Sequence, residues 1–181
     1  MIASTDIGRA VLDFLFEAMK IDGAWSVRGP RSFEWWGQRL AQRVWAEPVR
    51  SSYDHHLVRV HAATAVLRDV RDTPDTRARL AATNMFMSLS ALVWSEQGKK
   101  ISLHTAACFH AQNAPWLQPL FLAAVGIQVA DAHIKAEGLA RVLGGEPDVS
   151  THPRSGPAAS RTIFSTSSRP SSRPQVAVRR P

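Results

Sequence analysis

The chain has 181 residues, of which 45% are hydrophobic and 20% are charged, and its formal net charge is +7. These values are typical of one globular domain with room for an appendage. Residues 148–181 contain six Arg and a single acid, Asp148, so this segment carries most of the positive charge. The nearly neutral remainder argues against a dedicated nucleic-acid-binding domain, which normally has a basic face of its own.

The expected compartment follows from cysteine usage and from the distribution of charge. Cys108 is the only cysteine, so no internal disulfide forms and a reducing compartment is expected. Asp6, Arg9 and Asp13 interrupt the N-terminal apolar residues, unlike the core of a signal peptide. No apolar run approaches the ~18 residues of a membrane-spanning helix. We therefore expect a cytoplasmic protein without a membrane partner.

In chain order, the first half of the sequence predicts one helix followed by strands. Apolar residues at helical spacing indicate a helix over residues 5–20. A short strand is expected at residues 24–27, and alternating polar and apolar residues predict a long strand over residues 33–49. A second alternating run covers residues 56–70, and the polar loop between the two runs is typical of an antiparallel hairpin.

The second half begins with another helix and returns to strands. Thr73 is a suitable N-cap for a helix over residues 74–87, because a proline and an aspartate follow it. Residues 89–95 and 100–110 predict a strand pair joined by a polar turn. Sustained apolar content then predicts a closing helix over residues 116–143.

Together these elements predict an α+β domain over residues 1–146. We expect an antiparallel sheet of about five strands flanked by three helices, in the order α-β-β-β-α-β-β-α. Residues 147–181 are dominated by Pro, Ser, Thr and Arg. Such a composition cannot bury enough apolar surface to offset the entropy of ordering, which predicts a disordered tail.

A helix closed by Asp22 and Gly23, followed later by a turn at residues 96–100 between two strands, resembles the type III secretion chaperone-like fold. Small cytoplasmic YbjN-type proteins share that order of elements, and the resemblance covers residues 5–145. It implies a protein that is not an enzyme: the secretion chaperones dimerise and hold extended segments of partner proteins, and YbjN-type proteins are regulators. The basic tail and the long Trp-rich second strand are departures from that pattern.

The alternation within the strands predicts two unlike faces of the sheet. Trp36 is assigned to the apolar core and Trp35 to the outer face, because neighbouring strand residues point to opposite sides. These side chains could be packing or solvated strand residues, or they could bind a partner, since Trp and Arg are enriched at interface hot spots. Histidines would make the face titrate near pH 6.5. The candidate partner-binding residues are Trp35, Arg39, Arg43, Trp45, Arg59, His61 and His104.

Two alternatives remain beside the binding face. A small-ligand protein or hydrolase-like enzyme could use His104, Cys108 and His110 on one strand, although a nucleophilic cysteine needs a nearby base. The basic tail could bind nucleic acid, although Phe164 is its only aromatic residue for base stacking. No HExxH or CxxC spacing indicates a metal site. We therefore predict a non-enzymatic, chaperone-like or regulatory module without catalytic residues, metal or cofactor, which binds an extended or acidic protein segment as a homodimer.

Overall fold

The computed structural model describes residues 4–49, 57–87, 89–95 and 99–149. Within them it confirms the α+β class, with three α-helices and with seven strands in place of the five expected. Of the predicted disordered tail, residues 147–181, only residues 147–149 are described, and residues 150–181 lie outside the described part of the chain. The helices are α1 (Ser4–Ala18), α2 (Pro74–Asn84) and α3 (Ala114–Leu143). The strands are β1 (Ser26–Gly29), β2 (Ser32–Gly37), β3 (Leu40–Pro48), β4 (Val58–Arg68), β5 (Ala91–Ser95), β6 (Lys100–Phe109) and β7 (Glu146–Pro147).

The strands form one sheet, and the helices lie on one side of it. The sheet has the antiparallel order β1-β2-β3-β4-β6-β5, and β7 pairs with the end of β4. Helix α1 packs on β2, β3 and β4, α3 crosses β3, β4 and β6, and α2 contacts α3 and β5. All three bury apolar side chains against the same side of the sheet, which we call the inner face. No described helix covers the opposite side, the outer face.

Local capping explains where the elements begin. The hydroxyl of Thr73 accepts the backbone N–H of Thr76 at 3.1 Å, which confirms the predicted N-cap of α2. Helix α1 already ends at Ala18, because Lys20 takes a left-handed φ of 50°. Asp22 accepts the N–H of Ala24 at 2.8 Å and so caps a 3-10 turn that displaces the first strand toward the C-terminus.

The prediction of one long strand over residues 33–49 is wrong. The chain reverses at Gln38 and Arg39, whose φ values of 52° and 66° are the left-handed conformations of a two-residue hairpin turn. Gly37 therefore pairs with Leu40. Odd-numbered residues of β2 lie opposite even-numbered residues of β3, so the face assigned by counting along the sequence switches at the turn.

This switch reverses the predicted positions of the two adjacent tryptophans. Trp35 lies on the inner face, where its indole N–H donates to Gln42 at 2.7 Å, and Trp36 lies on the outer face. The Trp35 ring covers Gly37, since a Cβ at that glycine would stand 2.6 Å from ring atoms of Trp35 and 3.2 Å from Val129. Gly37 thus provides the space that lets the ring lie beneath α3.

A buried cluster of polar side chains joins the sheet to α3. Gln42 donates through Nε2 to Thr64, to the Val125 carbonyl and to Gln128 at 3.0–3.1 Å. Gln128 in turn donates through Nε2 to the hydroxyl of Thr105 at 3.1 Å and to the Ala62 carbonyl at 3.3 Å. Each amide is almost fully buried. The cluster fixes the rotation and register of α3 because these groups have no water to replace the bonds.

The described domain continues past residue 146, where the sequence predicted its end. Gly145 has a φ of 82°, and its α-carbon lies so close to the Arg68 carbonyl that a Cβ would stand at 2.5 Å. Strand β7 follows, and buried Asp148 accepts a hydrogen bond from the ammonium of Lys100 at 2.9 Å. The chain after α3 is thereby attached to β6 through the Asp148 side chain and to the end of β4 through its backbone, since the Asp148 N–H donates to the Val66 carbonyl at 2.8 Å.

We predict that Gly37→Ala destabilises the protein by about 1–3 kcal/mol, because the added methyl group must displace the packed Trp35 ring. The matched control is Gly23→Ala, since a Cβ there would meet nothing within 4 Å. Equilibrium urea unfolding measures both variants. Equal effects of the two substitutions would contradict the packing of Trp35 over Gly37.

We predict that Gln128→Leu lowers the free energy of unfolding by about 2–4 kcal/mol, because it leaves the buried amide of Gln42 and nearby hydroxyls with fewer partners. Gln42→Leu should have a similar effect, and the double variant should cost less than the sum of the two. Gln118→Leu on the same helix lies outside the cluster and serves as the control. Urea unfolding measures all of these variants. If the loss of unfolding free energy in the double variant equalled the sum of the two single losses, the two amides would not interact.

Candidate functional site

Cross-strand register assembles the outer face from alternate residues of β3, β4 and β6. Trp45 pairs with His61, which pairs with Ala106. In the next row Arg43 pairs with Ala63, which pairs with His104. Residues paired across antiparallel strands share a face, so these two rows form one surface. A third row contains Glu47, Arg59 and Cys108, and Glu34 of β2 pairs with Arg43.

Three aromatic rings stack at the centre of this face. The ring centroid of Trp45 lies 4.7 Å from that of His61 and 5.7 Å from that of His104, with interplanar angles of at most 9°. The guanidinium of Arg43 lies 5.6 Å from the Trp45 ring. The stack lies over His61, which is only 7% exposed although no helix of the described ranges covers this face. We call Arg43, Trp45, His61 and His104 the stacked cluster.

The two imidazoles are joined by a hydrogen bond that permits only one excess proton. Nδ1 of His61 lies 3.0 Å from Nε2 of His104. One of these nitrogens must accept, so both rings cannot be doubly protonated while the bond persists. The other nitrogen of His61, Nε2, contacts the carboxylate of Glu47. With both rings neutral, Nδ1 of His61 can accept from Nε2 of His104 while the N–H at Nε2 of His61 points to the contacting carboxylate of Glu47.

Burial and neighbouring charges hold these histidines toward the neutral form. Burial is the main cause that lowers the pKa of His61, and Arg59 lowers it further, while Glu47 opposes both effects. Burial also lowers the pKa of His104, and the charge of His61 adds to that effect against the opposing influence of Glu47. The pKa of both histidines therefore lies below the pH of 6.5 at which the sequence predicts this face to titrate.

The acids and bases of the outer face are balanced, unlike the cationic surface suggested by the sequence. Glu34 lies 3.7 Å from Arg43. Its partial burial raises the pKa of Glu34, and the nearby guanidinium opposes the increase. Glu47 contacts His61, whereas Arg59 is exposed at the margin of the stacked cluster. Two arginines and two glutamates thus give this face no net charge while the histidines are neutral.

The structure brings together five of the seven predicted binding residues. Arg43, Trp45, Arg59, His61 and His104 lie on the outer face, as the strand alternation predicts. The prediction for Trp35 is wrong because the ring lies under α3, and Arg39 lies in the hairpin turn instead of on the strand. Sequence reasoning missed Glu34 and Trp36 as outer-face residues, since the Gln38–Arg39 turn carries no Asn-Gly or Asp-Gly signal.

The alternative catalytic residues are not in mutual contact. His104 and Cys108 lie on the same face of β6, but four residues of strand separate them by about 13 Å. Nε2 of His104 faces His61, and Nδ1 of His110 accepts the backbone N–H of Gln112 at 3.2 Å. Among the described residues, no three His, Cys, Asp or Glu side chains are arranged to hold a metal ion.

Comparison with known proteins adds no assignment. No family model, no curated protein and no solved structure matches the chain. The resemblance to the secretion chaperone-like and YbjN-type proteins therefore stays a prediction. The geometry of the outer face alone carries the functional argument.

We predict that stability decreases as pH falls through and below 6.5. A histidine whose pKa is lower in the folded state binds fewer protons there than in the unfolded chain, so its contribution is complete above pH 6.5 and is lost on acidification. Urea unfolding at pH 7.5, 6.5 and 5.5 should give a shallower decline for His104→Gln. His133→Gln on the exposed side of α3 should retain the wild-type slope. If the unfolding free energy of His104→Gln declined with falling pH as steeply as that of the unmodified chain, the lowered pKa assigned to His104 would be contradicted.

Proposed function

We propose that the protein is a non-enzymatic binding module whose outer face holds an extended segment of another protein. The observation that carries the proposal is that all described helices pack on the inner face, while the outer face presents the stacked cluster. Trp and Arg are the side chains most enriched at the energetic centres of protein interfaces. In this proposal the cluster is a preorganised surface, because its rings are already stacked before a partner arrives.

The surface favours a segment that lies across the sheet over one that extends its edge. At edge strand β5, the Asn84 side chain accepts the Leu92 N–H at 2.7 Å and donates to the Leu92 carbonyl at 2.9 Å. This amide occupies the backbone groups that an added strand would use. The opposite edge, β1, has only four residues. An extended partner is therefore better accommodated on the outer face itself.

The charges of the outer face favour a bound segment with a single well-placed acidic side chain over a segment that is acidic throughout. Glu34 and Glu47 already lie beside Arg43 and His61, and they would repel a uniformly acidic chain. Arg59 is the exposed cation of this face that can receive a carboxylate. We propose a segment with one acidic side chain for Arg59 and an aromatic or apolar side chain for the Trp45 ring. A chaperone-like or regulatory role as a homodimer is part of the same proposal.

Peptide selection on the full chain tests this function. Twelve-residue peptides selected from a random phage-displayed library should share an acidic residue and an aromatic residue. Their affinity, measured by fluorescence anisotropy, should fall at least about tenfold for Arg59→Glu and for Trp45→Ala, because both substitutions remove hot-spot contacts.

The matched control is Arg141→Glu, because this arginine is 81% exposed on α3, on the other side of the sheet. Its affinity for the peptides should equal that of the unmodified chain. Selected peptides that bind Arg59→Glu and Trp45→Ala with unchanged affinity would contradict the proposal. A selection that yields no peptide stronger than its scrambled version would also contradict it.

A further inference from the structure

Helix α3 has apolar side chains on two sides, and only one of them faces the sheet. The inner side buries Phe121, Val125, Val129 and Ala132, with Gln128 among them. On the other side Trp116, Leu120, Ile127 and Ile134 are 60%, 62%, 46% and 75% exposed. Large exposed apolar side chains on a single surface indicate an interaction site more strongly than scattered ones do.

The exposed side chains follow the spacing of a helix–helix contact. Steps of four, three, four, three and four residues connect six apolar positions, which is the 3.5-residue repeat of a coiled-coil seam. Packing on the sheet does not require this repeat, because the sheet contacts the opposite side of the helix. We call these residues the outer stripe: Trp116, Leu120, Ala123, Ile127, Ala130 and Ile134.

Charge is absent from the part of the helix that carries most of the outer stripe. Residues 114–130 include no Asp, Glu, Lys or Arg, although several of them are exposed. Charged side chains begin at Asp131, which forms an ion pair with Lys135 at 2.9 Å. An exposed helix normally carries charges on its solvent side, so their absence over 17 residues favours a covered surface.

We propose that the outer stripe is the interface with a second copy of this chain, with the two α3 helices antiparallel. If the two-fold axis of the dimer passes α3 at the level of residues 124–126, Ala123 lies opposite Ile127 of the second copy and Leu120 lies opposite its Ala130. Each pair joins a large and a small side chain, as in interdigitated helix packing. Trp116 lies opposite Ile134 at both ends, where the chains diverge.

Charge complementarity selects the antiparallel arrangement over the parallel one. Parallel helices in register would place Asp131 against Asp131 and Lys135 against Lys135 of the second copy. Antiparallel helices place this charged segment beside the uncharged residues near the start of the partner helix. They also bring opposite ends of the two helix dipoles together. The charge pattern of α3 thus fits a two-fold symmetric pair.

Neighbouring apolar side chains enlarge the surface toward the size that a stable dimer needs. Stable interfaces bury roughly 800 Å² on each partner, more than six helical side chains provide. The connection from α2 to β5 contributes the exposed side chains of Met85, Phe86 and Leu89. This connection lies on the same side of the sheet as α3, because the hydroxyl of Ser90 lies 3.5 Å from Nε2 of the inner-side residue Gln128. In the dimer that we propose, its exposed apolar side chains extend the interface beyond the outer stripe.

This inference deepens the proposed function and rests on its homodimeric state, but not on the partner segment. The outer stripe and the outer face lie on opposite sides of the protein, so a dimer leaves both outer faces free. Failure of self-association and failure of peptide binding are therefore separate results. If the chain dimerises but binds no peptide, the dimer interface stands and the peptide-binding proposal fails. If the chain binds peptides as a monomer, the dimer interface is contradicted.

Sedimentation equilibrium of the full chain between 1 and 100 µM (about the affinity range of a modest dimer) is the first test. We expect a dimer that Ile127→Glu converts to a monomer. The matched control is Val142→Glu, because Val142 is a second β-branched residue of α3 with the same 46% exposure but outside the stripe. Circular dichroism should show unchanged helix content in both variants, since both residues are exposed. A monomeric unmodified chain, or a dimer unaffected by Ile127→Glu, would overturn the proposal.

Crosslinking at two exposed glycines tests the orientation. A Cβ at Gly126 or Gly138 would meet nothing within 4 Å, so cysteine fits at both positions. In a Cys108→Ser background, antiparallel helices bring Gly126→Cys beside its copy and hold Gly138→Cys about 39 Å from its copy along the axis. A short bismaleimide should therefore link Gly126→Cys and not Gly138→Cys. Equal linkage at both positions would overturn the antiparallel pair.

A lipid surface is the competing occupant of the stripe. Helix α3 has the length and, with a mean hydropathy of 1.3 over its most apolar window, the composition of a membrane span, although its inner side packs on the sheet. Flotation with vesicles of phosphatidylcholine and phosphatidylglycerol at 3:1 is the probe. We expect that any vesicle binding by the unmodified chain is the same for the Ile127→Glu variant, because the stripe does not contact lipid in the proposed dimer. Binding of that kind by a monomeric chain would assign the stripe to the membrane and overturn the dimer.

Discussion

The hydrogen bonds between Gln42 and Gln128 are the constraint on which the arrangement of surfaces depends. Helix α3 is apolar on two sides, so burial of apolar area alone does not select the side that faces the sheet. The amides do select it, because rotating α3 would place Gln128 in solvent and would remove the hydrogen bonds that Gln42 and Thr64 make to this helix beneath a covered sheet. Once this side is buried, the outer stripe must face away from the domain. A polar cluster of two amides therefore determines which apolar surface remains for another molecule.

Element types were predictable wherever a local signal was sufficient. Thr73 before a proline predicts the start of α2, and the long apolar segment predicts α3, because capping and helical periodicity act within a few residues. The turn at Gln38 and Arg39 was not predictable, since neither residue is a preferred left-handed turn residue and alternation continues on both sides. This single turn changes the strand count. It also exchanges the environments of Trp35 and Trp36, because the face of every residue in β2 depends on it.

The composition of the candidate site was predictable, but its contacts were not. Alternation within one strand places Arg43 and Trp45 on the outer face, and the same rule applies to Arg59 and His61 in β4. The bond between His61 and His104 depends on a diagonal relation across strands, since His61 pairs directly with Ala106. Register of this kind is set by the whole sheet, including the long connection through α2. Consequently the sequence predicts a face that carries histidines. Only the hydrogen bond between His61 and His104 shows that the two rings can share no more than one excess proton.

The proposed dimer would separate its two binding faces by a predictable distance. Each outer face lies one sheet and one helix layer away from the two-fold axis, and packed layers are about 8–10 Å apart. The two faces would therefore lie roughly 30 Å apart and point in opposite directions. A single short segment that covers one stacked cluster cannot reach the other without passing around the domain. Dimerisation would thus leave the affinity for one segment unchanged and would favour partners that carry two segments joined by a linker long enough to span the assembly.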